Sequence, residues 1–192
     1  PGRRRGRISL FNEKTIRKDI VFKGRVFSVE VQSVLMHDGR QAQREIVRHS
    51  GGACVLPVDD DNQVYLVSQF RKPYDTIMLE IPAGKLEPGE EPLACARREL
   101  TEETGLTAGR IEYLMTIYPS PGYCSEILTI FLATGLKPGP ANPDDQEHLI
   151  CHRIPLADAL ALVDSGEIRD AKTQVALMAF ARRGKSAKGE AR

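Results

Sequence analysis

The sequence lacks any run approaching the ~20 apolar residues that a membrane-spanning helix needs. No apolar stretch follows the basic start "PGRRRGR", as a secretory signal would require. Cysteine is sparse: Cys54, Cys95, Cys124 and Cys151 show no CxxC pair and no close spacing. That excludes the usual zinc and disulfide frameworks and is expected of reduced thiols in a cytosolic protein. Internal repeats are absent, which excludes solenoids and propellers. Net charge is also small, at +1, so no strong electrostatic pull toward nucleic acid is expected. Much of the basic charge lies in "PGRRRGR" and "ARRGKSAKGEAR", which read as solvated tails rather than nucleic-acid arms. The chain begins at Pro1 rather than Met, so a few residues of a natural start are expected to precede it.

What remains is globular in kind. The 192 residues are 41% hydrophobic and 28% charged, enough for one domain with a real core. Residues 20–49 look like an antiparallel β-meander: Phe27, Val29 and Val31 alternate with polar neighbours, and Asp38-Gly39 is a hairpin signal. After "SGGA", the runs "CVLPVD" and "QVYLVSQF" predict a strand pair around the turn "DDDN". "MLEIPAG" is a short apolar run ending in a glycine loop. A helix then starts at "EPGEEP", with Pro92 in its first turn and Gly105 as its stop. "RIEYLMTIY" and "EILTIFLAT" predict strands separated by "PSPGYCS". The polar loop at 136–147 is long enough to suggest function. A short strand "LICHRI" and helices near 156–164 and 171–183 close the chain.

One helix carries Glu99, Glu102 and Glu103 together, where like charges three and four residues apart repel. At about 100° per residue, with Glu99 as zero, Glu103 lies near +40° and Glu102 near −60°. Leu93, Ala96, Leu100 and Thr104 then form an apolar stripe beside the acidic arc. The arrangement calls for positive charge, and a hard divalent cation would supply it.

The stretch "AGKLEPGEEPLACARRELTEETGL" resembles the Nudix box, G-x5-E-x7-R-E-U-x-E-E-x-G-U. Gly84, Glu90, Arg98, Glu99, Leu100, Glu102, Glu103, Gly105 and Leu106 fill all nine fixed positions. A chance match in a chain of average composition is on the order of one in ten million. The resemblance implies an α+β fold: a Nudix-type α/β/α sandwich with a mixed sheet, preceded here by the N-terminal meander. It implies hydrolysis of a nucleoside diphosphate linked to another moiety, with Mg²⁺ (or Mn²⁺) held by Glu99, Glu103 and the Ala83 carbonyl. Glu102 would add a ligand directly or through water. Gly84 would allow a tight turn, and Glu90 with Arg98 would brace the loop and helix. Arg97 reads as a solvated helix charge.

Flanking segments narrow the resemblance to ADP-ribose pyrophosphatases, with pyrophosphatases for GDP-mannose or UDP-glucose as the alternative. Pro121 stands sixteen residues after Gly105 in "SPGYCSE". "SQFRKPY", "LEIPAGKLEPGE" and "GEIRDAKTQVAL" also match the subgroup. Arg71, Glu80, Pro121 and Glu126 are thereby implied on the substrate side. A general base is still required, and the acidic loop supplies Asp145 and Glu147; Glu147 is also placed to reach the metal, and the choice between them stays open. His148 and His152 read as exposed strand histidines, since a hard-oxygen site favours Mg²⁺ over zinc. By family resemblance the N-terminal strands cross to a partner in a homodimer, bringing Phe27 and Arg44 to the partner's site. The expected organisation is a basic flexible start at 1–19, exchanged strands at 20–50, a Nudix hydrolase domain at 51–184 and a flexible tail at 185–192. A non-catalytic ADP-ribose sensor is the other functional class, although such sensors usually carry broken boxes.

Overall fold

A computed structural model describes residues 12–139 and 149–189, with side chains to residue 183. The chain divides into two compact units: one holds the N-terminal strands with Ser120–Glu126, the other holds Gly51–Pro119 and Ile127 onward.

The first unit is a three-stranded antiparallel sheet, β1 (Glu13–Lys23), β2 (Phe27–Met36) and β3 (Gln41–His49), in that order. The Asp38-Gly39 turn is present, with Gly39 at φ 84. Residues 13–19, expected to belong to a flexible start, are instead strand, because their backbone pairs antiparallel with β2, and Thr15, Lys18 and Glu13 bond Gln32, Glu30 and Arg44. The buried face of β2 carries Glu30, Gln32 and Val34, rather than the Phe27, Val29 and Val31 set. Glu30 tolerates burial because Lys18 (3.0 Å), Arg48 (2.9 Å) and Gln32 (2.9 Å) surround its carboxylate and hold it down at about 2. Ile16, Ile20, Val21, Phe22 and Phe27 stay exposed by 42–60%. Ser120–Glu126 adds to the β3 edge: Val47 donates to the Tyr123 carbonyl (2.8 Å) and Ser125 to that of Val47 (2.9 Å).

The second unit is built around β4 (Gly52–Pro57). All six of its residues are buried, the mark of a strand covered on both faces. Sequence adjacency suggested that β4 pairs with β5 (Gln63–Arg71), but the two enter different sheets, and an isolated Val58–Val64 bridge forms just past the end of β4. β4 instead sits between β7 (Ala83–Lys85) and β9 (Leu128–Pro138), parallel to β9, with β8 (Leu106–Ile117) at the edge. A second sheet runs β10 (Ile150–Pro155), β5, β6 (Thr76–Glu80), all antiparallel.

Alternate residues of β4 feed two cores. Ala53 and Val55 pack with Phe131 and Ala133 under Cys95, Ala96 and Leu100 of α1 (Pro92–Thr104). Cys54 and Leu56 pack with Ala159 of α2 (Leu156–Asp164) and Ala176 and Leu177 of α3 (Ala171–Gly189). Helices therefore cover both faces, the layering the box implied. α1 starts on Pro92 and ends on Gly105 in the left-handed region (φ 66), whose N–H bonds the Thr101 carbonyl. α3 runs on to Gly189, where a tail was expected from residue 185. Among the described residues no helix is long and apolar enough to cross a membrane.

Candidate functional site

The site grows from the contact between β7 and α1. The buried arc of α1 runs from Cys95 through Glu99 and Ala96 to Leu100, while Leu93 stays exposed. The helix is thus rotated from the expected stripe, so that Glu99 faces inward, 8% exposed. Room for it comes from Gly84: a Cβ there would lie 1.6 Å from Glu99 Oε1. Gly84 is not among the positive-φ residues, so its role is space for a carboxylate rather than the tight turn expected of it. One turn further on, Glu103 Oε2 accepts the Ala83 N–H at 3.2 Å. Two carboxylates therefore converge on one backbone dipeptide.

The charge that the acidic helix called for is supplied in part by Arg98. Its Nε and Nη2 donate to Glu90 at 3.0 and 3.1 Å. Its Nη1 donates to Glu99 (2.6 Å) and Glu102 (2.9 Å). Nη2 also reaches the Lys85 carbonyl at 3.3 Å, pinning the loop to the helix. Arg98, ahead of the Glu87 N–H, holds Glu90 down at about 2, and burial pushes the adjacent Cys95 thiol up to about 11. A folded carboxyl depressed from 4.5 to about 2 contributes stability that is complete above pH 4.5 and is lost as pH falls toward 2. Glu90→Gln should therefore lower the melting temperature at neutral pH and flatten its fall across that window. An unchanged acid limb in scanning calorimetry would contradict the brace.

Beside these carboxylates lies a second set of charges. Arg71 grips Glu80 with two bonds of 2.7 Å, from Nε and Nη2. Glu80, 2% exposed, also receives the Lys172 ammonium, which bonds Asp170 at 2.9 Å. Asp170 caps α3 through the Thr173 N–H (2.9 Å) and hydroxyl (2.6 Å). Burial alone would raise the Glu80 carboxyl, but Arg71 and Lys172 hold it below its usual range. Glu80 raises Arg71, with smaller contributions from Asp170 and Glu103. Lys172 and Asp170 were not singled out from sequence; the D-x-K inside "GEIRDAKTQVAL" was the available signal.

Phe27, Arg44, Pro121 and Glu126 belong to the first unit. Register pairs Phe27 with His49 and Arg44 with Gln32, five residues further along β2, so Phe27 and Arg44 stand on opposite faces of the sheet and are not brought together. Arg44 is engaged by Glu13 (3.0 Å), Phe27 packs tilted against Phe22 with centroids 5.6 Å apart, and Glu126 lies 3.6 Å from His49 Nδ1. His152 is half-buried and bonded to Ser68 Oγ (2.8 Å), not an exposed strand histidine, because β10 lies against β5 there. Asp145, Glu147 and His148 lie outside the described residues.

The donor set fits a hard divalent cation. Among the described residues no three His, Cys, Asp or Glu side chains form a ready metal site. Two carboxylates and a backbone carbonyl nevertheless match an ion that keeps water and substrate oxygens as its other ligands.

The family model described as NUDIX domain matches residues 48–175. The chain is 44% identical to a protein named ADP-ribose pyrophosphatase from Bacillus subtilis, over 86% of this chain and 90% of that one. It is 40% identical to a methanol dehydrogenase activator from Bacillus methanolicus, over 88% and 92%. A solved structure of an ADP compounds hydrolase superposes with a TM-score of 0.81 at 25% identity, covering 92% of this chain and 96% of the other.

Proposed function

The chain belongs to the NUDIX family of hydrolases, and on that footing we propose that it cleaves the pyrophosphate bond of ADP-ribose, giving AMP and ribose 5-phosphate, with Mg²⁺ (or Mn²⁺) as cofactor. The observation that carries this reading is the convergence of Glu99 and Glu103 on Ala83 and Gly84 beside Arg71. Similarity to the Bacillus subtilis enzyme supports the choice of substrate.

Glu99, Glu103 and the Ala83 carbonyl would hold the metal, with Glu102 and Glu147 completing its protein ligands. When bound, the ion neutralises diphosphate oxygens and makes water a better nucleophile. Arg71 contributes an anchored guanidinium whose Nη1 edge donates to no partner among the described residues, and this edge would grip a phosphate oxygen. Glu147 or Asp145 takes the proton of the attacking water. Of Glu147→Gln and Asp145→Asn, the one that loses more turnover at unchanged affinity identifies the base.

The first unit's exposed apolar residues favour a homodimer in which a second copy covers them. Glu126 would then reach the adenosine half of the ligand in the partner's site, with Pro121 in the same loop on the substrate side, and groups near Phe27 or Arg44, which stand on opposite faces of the sheet, would complete the shared site. All four cysteines are thiols, which fits a cytoplasmic location.

The purified protein with Mg²⁺ should turn over ADP-ribose in preference to GDP-mannose, UDP-glucose, NADH and diadenosine polyphosphates. Faster cleavage of either other sugar nucleotide would overturn the substrate assignment. Binding without turnover at saturating metal would make the protein a sensor.

A further inference from the structure

We propose that Lys172 is a positioning residue for the diphosphate, acting through Glu80 on Arg71. The inference rests on the reading of Arg71 as a phosphate contact. The Arg71 side chain is 37% exposed and has a long stem whose free rotation would scatter its donors. Glu80 removes that freedom by taking Nε and Nη2 together, which leaves Nη1 as the donor without a partner among the described residues. A fork held this way costs little further ordering when the ligand arrives.

Glu80 alone would be a poor anchor. Its carboxylate is 2% exposed, and burying a charge with a single partner is unfavourable. It would also cancel the charge that Arg71 must offer to an anion. Lys172 resolves both problems. Its ammonium reaches Glu80 from the α3 side, is itself buried, and is fixed by Asp170 at 2.9 Å. Glu80 and Asp170 offset Arg71 and Lys172, so the four charges sum to zero. Without Lys172 the set is net negative where a doubly charged diphosphate must dock, and Glu80 draws Arg71 inward. Asp170 is locked in turn by capping α3, so the aim of Arg71 is referred back to a helix terminus.

Lys172→Gln removes the charge and leaves a side chain one bond shorter that can still donate hydrogen bonds. It should raise KM for ADP-ribose about tenfold, the scale of one charge-assisted hydrogen bond, and leave kcat within about threefold. Lys172→Gln with Asp170→Asn restores the zero sum and keeps the cap, since Asn caps as well as Asp; most of the KM should return. Lys172→Met should act in the same direction, and if it does not fold, the Gln variant decides. A purely structural lysine would lower the melting temperature and leave KM unmoved, and that result overturns the proposal. Arg71→Ala separates the two levels. If it raises KM while Lys172→Gln does not, only the positioning role falls. If it leaves KM unmoved, the phosphate reading of Arg71 falls and the positioning role falls with it.

Discussion

Glu103→Gln should lower turnover of ADP-ribose by several orders of magnitude while the fold survives. The substitution is isosteric and can still accept the Ala83 N–H that Glu103 takes at 3.2 Å. What disappears is one negative charge in a group where three carboxylates crowd a single helix face. Melting temperature in the absence of metal should hold or rise slightly, because like-charge repulsion is relieved. Calorimetric Mn²⁺ affinity should collapse together with turnover, since a hard cation loses a charged oxygen ligand. Near-normal turnover would contradict the metal-ligand role. The same variant tests the shared site. Mixed with Glu126→Ala chains, it should form heterodimers in which one site combines two intact halves, and activity should reappear. Heterodimers that form yet stay inactive would rule out sharing, and a monomer in solution would end the idea sooner.

How the sequence carries this site differs from residue to residue. The limits of α1 were legible because Pro92 and Gly105 act locally, through a missing N–H and a left-handed cap. Glu99 and Glu103 were legible because box spacing is a one-helix property. Lys172 was not, since it meets Glu80 across 92 residues and no periodicity marks a pair that distant. Alternation in β2 showed which residues share a face but not which face is covered. Paired charges made the Glu30 face the buried one, against hydropathy. The β4–β5 hairpin expectation failed for a related reason. A strand buried on both sides belongs at a sheet's centre, and its central neighbour, β9, comes from more than seventy residues later in the chain. The direction of Glu99 also escaped the helical wheel: its stripe was set by Leu93, whereas packing chose Cys95.

Gly84→Ala should disable the enzyme by adding a single methyl group. The new Cβ would stand 1.6 Å from Oε1, 2.1 Å from Cδ and 2.8 Å from Oε2 of Glu99, so one partner must move. The loop cannot retreat. Gly84 pairs with Ala53 on β4, and a Cβ on Gly52 would already lie 2.7 Å from the Gly84 carbonyl. The helix cannot retreat either, because Cys95, Ala96 and Leu100 are packed in the core beneath it. Glu99 must therefore swing away, giving up its place beside Glu103 and its 2.6 Å bond from Arg98. Overpacking of this kind costs about 1–3 kcal/mol of stability. With Glu99 in its proposed metal-holding role, losing that orientation should cost turnover up to roughly a hundredfold. Adding Glu99→Asp separates the two effects, since the shorter side chain relieves the clash but cannot reach the cation from the same position. Thermal stability should recover in the double variant while turnover and Mn²⁺ affinity stay low. A Gly84→Ala enzyme with wild-type turnover and metal affinity would show that Glu99 has somewhere else to go and that its contact with the Gly84 backbone is dispensable.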